Sequence, residues 1–521
     1  MKNLKSYIYK KKLNFILSVT SFFVFSYFTV TFLNLDLKTI SLGFSRIGNV
    51  FSRMLPLDTT TLDELAKPLF DTLLIAFFSS VLGVVTAIIF LPYLMTNLFK
   101  HKLIPKIISG VLSIFRTIPA LIIAAILVSL FSTGNFSGFM SLYVVSFLTA
   151  AKLLKEYAEE VNEKNIESLV ALGASKIVIY KIAVLSNIKV AVYSVFFLVL
   201  ESSIRGASIL GLVGAGGIGQ KLWEELNHLR YDRVAVIILI LIGIIFIIDN
   251  LSVYFRNSFE VKLNTKKEYF FKKRIEKIIF ILVIITACIY FVNFLDITLE
   301  RFLVGVEQLK TVFKRIFTPD ISYLEKTLVA LYESILVAVF STFFASITAI
   351  FLSYFSATNL FGKKALIVKI FINIIRTFPA IIIAIILFRG FGPGYVSSFF
   401  AIYIYTVGVT TKMYNEVLEG VNKNLQDAVN SLGVKKFISY IKIIFFGTFP
   451  EFVSISLYRL EMNLKNSTIL GMVGAGGIGH LLVNNIEFRN WEKISTLLIC
   501  LTLAILIIEN ISALIRNFVK K

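Results

Sequence analysis

The sequence predicts an all-α integral membrane protein of about twelve transmembrane helices, laid out as two parallel six-helix repeats. Two observations fix the class and a third fixes the layout. Apolar residues make up 57% of the 521 positions and aromatic residues 14%, and mean hydropathy is +0.82, well above the soluble average. Apolar runs of the roughly 20 residues needed to cross a hydrocarbon core of about 30 Å recur from end to end, so little chain remains for a soluble domain. Long segments also return at a fixed spacing, which marks one unit written twice.

The repeat is legible by eye. "RTIPALIIAAIL" from Arg116 returns as "RTFPAIIIAIIL" from Arg376, 260 positions later. "ILGLVGAGGIG" from Ile209 and "ILGMVGAGGIG" from Ile469 keep the same offset, as do "IIDNLSVYFRN" and "IIENISALIRN", which set Asp249 against Glu509. Upstream the offset is 262, as in "TNLF" at Thr96 and Thr358, so a short loop near Lys102 holds the difference. The chain divides into repeats 1–260 and 261–521.

Six spans are expected in the first half, at about 13–33, 72–95, 107–131, 138–154, 188–210 and 234–255, and the second half repeats them. The first run follows Lys10, Lys11 and Lys12 as the apolar region of a signal peptide would. It is too long for one and no small-residue cleavage site follows, so it reads as a transmembrane anchor. The net charge of +21 resides in short Lys/Arg clusters between apolar runs. That pattern fits positive-inside topology and argues against a nucleic-acid partner. It places the N-terminus, residues 100–106 and the linker 256–277 in the cytoplasm, and both termini of a multi-pass protein on the inner side of a bacterial cell membrane. An even number of spans returns the second copy to the same side, so the repeats are parallel and enclose a pathway. Cys288 and Cys500 lie in apolar runs, and His101, His228 and His480 are isolated, so neither a disulfide framework nor a metal site is expected.

"GAGGIG" satisfies the G-x-G-x-x-G spacing of dinucleotide-binding loops, but that reading needs a preceding β-strand in a soluble βαβ unit. Here the motif follows an apolar helix at its outer end. Gly214, Gly216, Gly217 and Gly219, with Gly474, Gly476, Gly477 and Gly479, are expected instead to let the backbone turn sharply and pack closely.

Ionisable groups inside spans are functional candidates because leaving them against lipid is costly. Arg116 and Arg376 fall about nine residues into the third span of each half, three residues before Pro119 and Pro379, which can kink it. Glu201 with Arg205, and Glu461 with Lys465, stand four apart in the fifth span, where each is expected to form a compensating pair. Neither arginine has an acid one turn away, so each needs an interhelical partner, water or a passing anion. Asp249 and Glu509, in the sixth span, are expected to serve structure near the membrane interface.

The longest cytoplasmic polar stretch of each half lies between the fourth and fifth spans. In the first, Ile166, Leu169, Val170 and Leu172 recur at helical spacing and Gly173 interrupts them, which describes a helix-turn-helix on the inner face. An acid with Leu-Gly five residues on, Glu167 with Leu172 and Gly173, then Asp427 with Leu432 and Gly433, resembles the EAA loop of ABC importer permeases. The segment "SLYRLEMNLKNSTILGMVGAGGIG" from Ser456 is similar to the end of the fifth helix in phosphonate permeases, and "FLVLESSIRGASILGLVGAGGIG" is in register with it. Two features depart from the family. Ser168-Leu169 and Ala428-Val429 replace its small pair, and Leu185-Ser186 and Phe445-Phe446 replace its later Leu-Pro. Two half-size subunits are also fused here.

The resemblance implies the transmembrane fold of a type I ABC importer. It implies that Glu167, Leu172, Gly173, Asp427, Leu432 and Gly433 dock two copies of an ATPase subunit, and that an extracellular substrate-binding lipoprotein feeds the pathway. No G-x-x-x-x-G-K-[S/T] occurs, so the chain is expected to carry no cofactor and no enzymatic activity, ATP being bound by the separate ATPase subunits. Membrane lipid is its other expected partner. Phosphonate is the first expected solute, with phosphite, phosphate or a phosphate ester behind it. Arg116, Arg376, Glu201, Arg205, Glu461 and Lys465 are the pathway candidates. The rival readings are a permease of the same build for methionine or another small solute, and an ion-coupled secondary transporter. The latter leaves the paired docking loops unexplained.

Overall fold

A computed structural model describes residues 24–34, 36–97, 103–262, 290–296, 298–378, 380–421, 440, 445–471, 474 and 476–520. Among the described residues the regular structure is helical throughout. The first half carries α1 (Leu37–Met54), α2 (Leu62–Leu94), α3 (Leu103–Thr117), α4 (Ala120–Phe131), α5 (Asn135–Glu159), α6 (Glu163–Ala171), α7 (Lys176–Ile179), α8 (Lys189–Leu210), α9 (Gly217–Asn227) and α10 (Tyr231–Lys262). The second carries their counterparts as α11 (Leu299–Ile316), α12 (Leu324–Ser356), α13 (Ala365–Thr377), α14 (Ala380–Phe391), α15 (Tyr395–Glu419), α16 (Phe445–Leu470), α17 (Gly477–Glu487) and α18 (Trp491–Lys520). The second loop expected to dock an ATPase, with Asp427, Leu432 and Gly433, lies outside the described residues, as does most of the linker.

By length and composition, six of the described helices can each cross a membrane, and the bent pairs α3–α4 and α13–α14 bring the number to eight. α15 and α16 repeat α5 and α8, which are among the six, and fall short only because Thr, Tyr and charged residues dilute their apolar runs. Helical residues 24–32 and 290–294 stand at the ends of the first apolar run of each half, whose remainder lies outside the described residues.

Proline breaks the third span. Pro119 has no amide hydrogen and its ring excludes the carbonyl four residues back, so α3 stops at Thr117 and α4 leaves at 84°. The second half bends by 80° at the matching place.

Each half also carries an amphipathic helix that the hydropathy pattern alone does not mark. Asp36 caps α1 through the Thr39 amide and Thr298 caps α11 through the Arg301 amide. These helices cross over. Gly43 of α1 packs so closely on Phe391 of α14, in the second half, that a Cβ would strike the ring, and Gly305 of α11 does the same to Phe131 of α4, in the first. The preceding segments do the same: Phe25 packs edge-on against Phe340 at 5.0 Å, and Phe291 stacks on Phe78 at 4.1 Å. The halves therefore hold one another by exchanged arms.

Candidate functional site

The bend in the third span creates a seat between the halves. A continuing helix would tie the Arg116 carbonyl to the amide four residues on; the break leaves that carbonyl for another donor. Lys465 of α16, in the second half, donates to it at 3.1 Å. The Arg116 guanidinium donates to Glu509 of α18, also in the second half, at 3.2 Å. Thr117 and Thr502 bring their hydroxyls to 3.2 Å beside this pair. Two cations thus meet one acid across the interface. A cavity of about 290 Å³ opens against Arg116 and Glu509, with Ser113, Lys152, Lys155, Glu156 and Glu159 along its wall.

The structure joins the other intramembrane charges unevenly. Glu201 and Arg205 form the expected pair within α8. Glu461 and Lys465 do not. Glu461 turns to Arg516 of α18 at 3.1 Å, and Lys465 turns across the halves. Both stand on one face of α16, and each takes a partner on another helix in place of its neighbour four residues away. Glu509 makes a structural interaction, and it does so across the halves, as the acid that Arg116 lacked within its own helix. Arg376 sits partly buried at the corresponding place in α13, and the side chain of Asp249 lies outside the described residues.

At the other end of α8 and α16 the glycines make a close junction. Gly214, Gly216 and Gly217 have φ of 83°, 77° and 74°, and Gly474, Gly476 and Gly477 have 99°, 80° and 67°, a region that L side chains avoid. A Cβ on Gly219 or Gly479 would collide with the carbonyl oxygen of Ser208 or Thr468. The turn is fastened by residues that the motif does not include. The Ile218 amide donates to the Thr72 hydroxyl at 2.8 Å, and the Ile478 amide donates to the Ser334 hydroxyl at 3.0 Å. Thr72 and Ser334 are repeat mates at the 262 offset, so the paired hydroxyls were a findable signal. The turn opens α9 and α17 on packed helices, with no strand before it.

At the opposite end of the bundle from the glycine turns, α6 and α7 form the expected helix-turn-helix. Ile166 and Ile179 are buried and anchor it. Gly173 has φ +71°, and the following amide, of Ala174, donates back to Leu169 at 3.0 Å. Glu167 is exposed and Leu172 is 81% exposed, which leaves an apolar knob facing away from the bundle. Tyr180 ties this loop to α2 by donating to the Ile88 carbonyl at 2.7 Å, and Tyr440 makes the same bond to Ile350 at 2.9 Å.

Comparison with known proteins decides the class. A family model described as the binding-protein-dependent transport system inner membrane component matches residues 79–261 and again residues 349–521. The chain belongs to that family. It is therefore the membrane component of a binding-protein-dependent ABC importer, with the permease unit present twice. A phosphate-import permease protein of Mycolicibacterium smegmatis is 24% identical over 91% of this chain and 89% of its own length, a match that runs through both halves. A phosphite transport system permease protein of Stutzerimonas stutzeri is 24% identical over 46% of this chain and 86% of its own length. A putative cryptic phosphonate transport system permease protein of Escherichia coli is 28% identical over 22% of this chain and 96% of its own length.

Proposed function

We propose that this single chain is the whole translocation pathway of an importer for a small phosphorus-containing anion, phosphonate first, with phosphite or phosphate behind it. The observation that carries the solute class is the full-length similarity to a phosphate-import permease, joined by similarity to phosphite and phosphonate permeases. An external binding protein delivers the anion. Two ATPase copies engage the loops at Glu167, Leu172 and Gly173 and at Asp427, Leu432 and Gly433, and they alone bind ATP. Both termini, the linker and these loops face the cytoplasm, a placement that the basic clusters support.

Within the pathway Arg116 and Arg376 supply a positive bias. Glu509 tempers the first and keeps it from holding an anion tightly, while Lys465 leaves the seat with a cation in excess. A tight site would slow release, and a route lined by acids would repel the solute. The experiment is uptake of labelled methylphosphonate by cells that express the chain with its ATPase and binding protein. Arg116→Gln with Arg376→Gln should lower uptake several-fold at normal expression, and Glu at both places should lower it further. Native uptake in both double variants would make the arginines structural. A binding protein that purifies with methionine would replace the solute and leave the permease.

A further inference from the structure

The two halves differ inside their three-helix cores. In the first half, α2, α5 and α8 meet through Val84, Ala150, Leu154 and Val199, all buried and apolar. The repeat places Ser346, Thr410, Tyr414 and Arg459 at those positions in α12, α15 and α16. Arg459 is 6% exposed and Thr410 is fully buried. A charge that only one copy carries is not a requirement of the shared fold.

Register brings the two residues to one level. α15 and α16 run antiparallel, and Thr406 donates to Asn463 at 3.1 Å while Tyr414 meets the Ser456 hydroxyl. Those contacts bracket Thr410 opposite Arg459. The guanidinium carbon lies 5.6 Å from the centroid of the Tyr405 ring, one side of its environment. Among the described residues its buried Nε and Nη2 have no hydrogen-bond acceptor, and it has no acidic partner. The Thr410 hydroxyl is also unbonded, whereas Thr342 and Thr348 on α12 donate to the carbonyl four residues back in the usual way. Arginine stays charged at any physiological pH, and burial without a counter-charge is strongly unfavourable. What the place offers is a forked donor and a hydroxyl, which is what a small anion accepts from.

We infer that the second half holds a small-anion site, made by Arg459 with Thr410, that the first half lacks. The occupant is an inorganic anion of the size of phosphate or chloride, drawn from the transported solute or from the medium. The two repeats are then unequal in function, with one of them able to retain an anion beside the pathway. This goes beyond the transport reading and does not need the solute to contain phosphorus.

The test uses the full chain in lipid nanodiscs. Its thermal unfolding midpoint is followed against added phosphate, and separately against chloride, with gluconate holding ionic strength constant. The native protein should be stabilised along a saturating curve. Thr410→Ala, which installs the first-half residue, should raise the half-effective concentration about tenfold, the loss of one hydrogen bond. Arg459→Val, also the first-half residue, should abolish the effect, and Arg459→Lys should weaken it if the valine variant does not fold. Phosphate acting at lower concentration than chloride supports the transported anion as occupant; equal action supports the site with a solvent halide in it. No anion dependence in the native protein, or the same curve in Thr410→Ala and the Arg459 variants, would overturn the site. Methylphosphonate uptake, measured separately, still decides the transport reading.

Discussion

At the scale of single residues, the glycines show how little freedom the junctions leave. Gly479 lies against the Thr468 carbonyl and Gly477 against the Ser334 hydroxyl, so a methyl group at either place must displace backbone or a bonded side chain. Gly479→Ala should cost roughly 1–3 kcal/mol or more, the usual range for overpacking a tight contact. Gly110→Ala is the control, because nothing stands within 4 Å of a Cβ there and alanine favours helix. Unfolding midpoints in nanodiscs should fall for the first and hold or rise for the second; equal midpoints would remove the close-contact argument. These glycines were legible because the motif is written twice. Thr72 and Ser334 were not, because each lies more than 140 positions upstream of the amide it receives. A hydroxyl at a repeat position gives no sign of which amide it faces. Arg459 was missed for the opposite reason, since attention to what the halves share passes over what one half holds alone.

At the scale of elements, the bend at Pro119 converts a helix interruption into a contact between halves. Pro119→Ala returns an amide to the chain and lets the amide at position 120 claim the Arg116 carbonyl, so Lys465 loses its acceptor. Uptake should fall while insertion stays normal. The geometry can be read directly: with Cys288 and Cys500 replaced by Ser, cysteines at Thr117 and Thr502 should cross-link readily, and Pro119→Ala should lower the yield. An unchanged yield would show that the bend does not depend on the proline. Sequence marked the proline and the arginine but not Glu509 as its partner. The spacing within a helix identifies neighbours on that helix only. The same limit explains Glu461 and Lys465, which satisfy the i,i+4 rule and still point to different helices. The amphipathic α1 and α11 carry too many polar residues to stand out by hydropathy, although their apolar positions recur at helical spacing.

At the scale of the whole molecule, the repeat made the architecture legible, while the exchange of arms was not. The sequence does not say which half receives Phe25, Gly43, Phe291 and Gly305. The structure answers that each half is completed by the other, with α1 on α14 and α11 on α4. Within one chain this exchange needs no second copy, and the Arg116 seat is assembled from both halves at once. In the proposed reading one chain is one complete permease. Native mass spectrometry of the assembly purified with its ATPase tests it most directly. One copy of this chain with two copies of the ATPase is the predicted composition. Two copies of this chain with two of the ATPase would mean that the pathway forms between chains, and would contradict the claim.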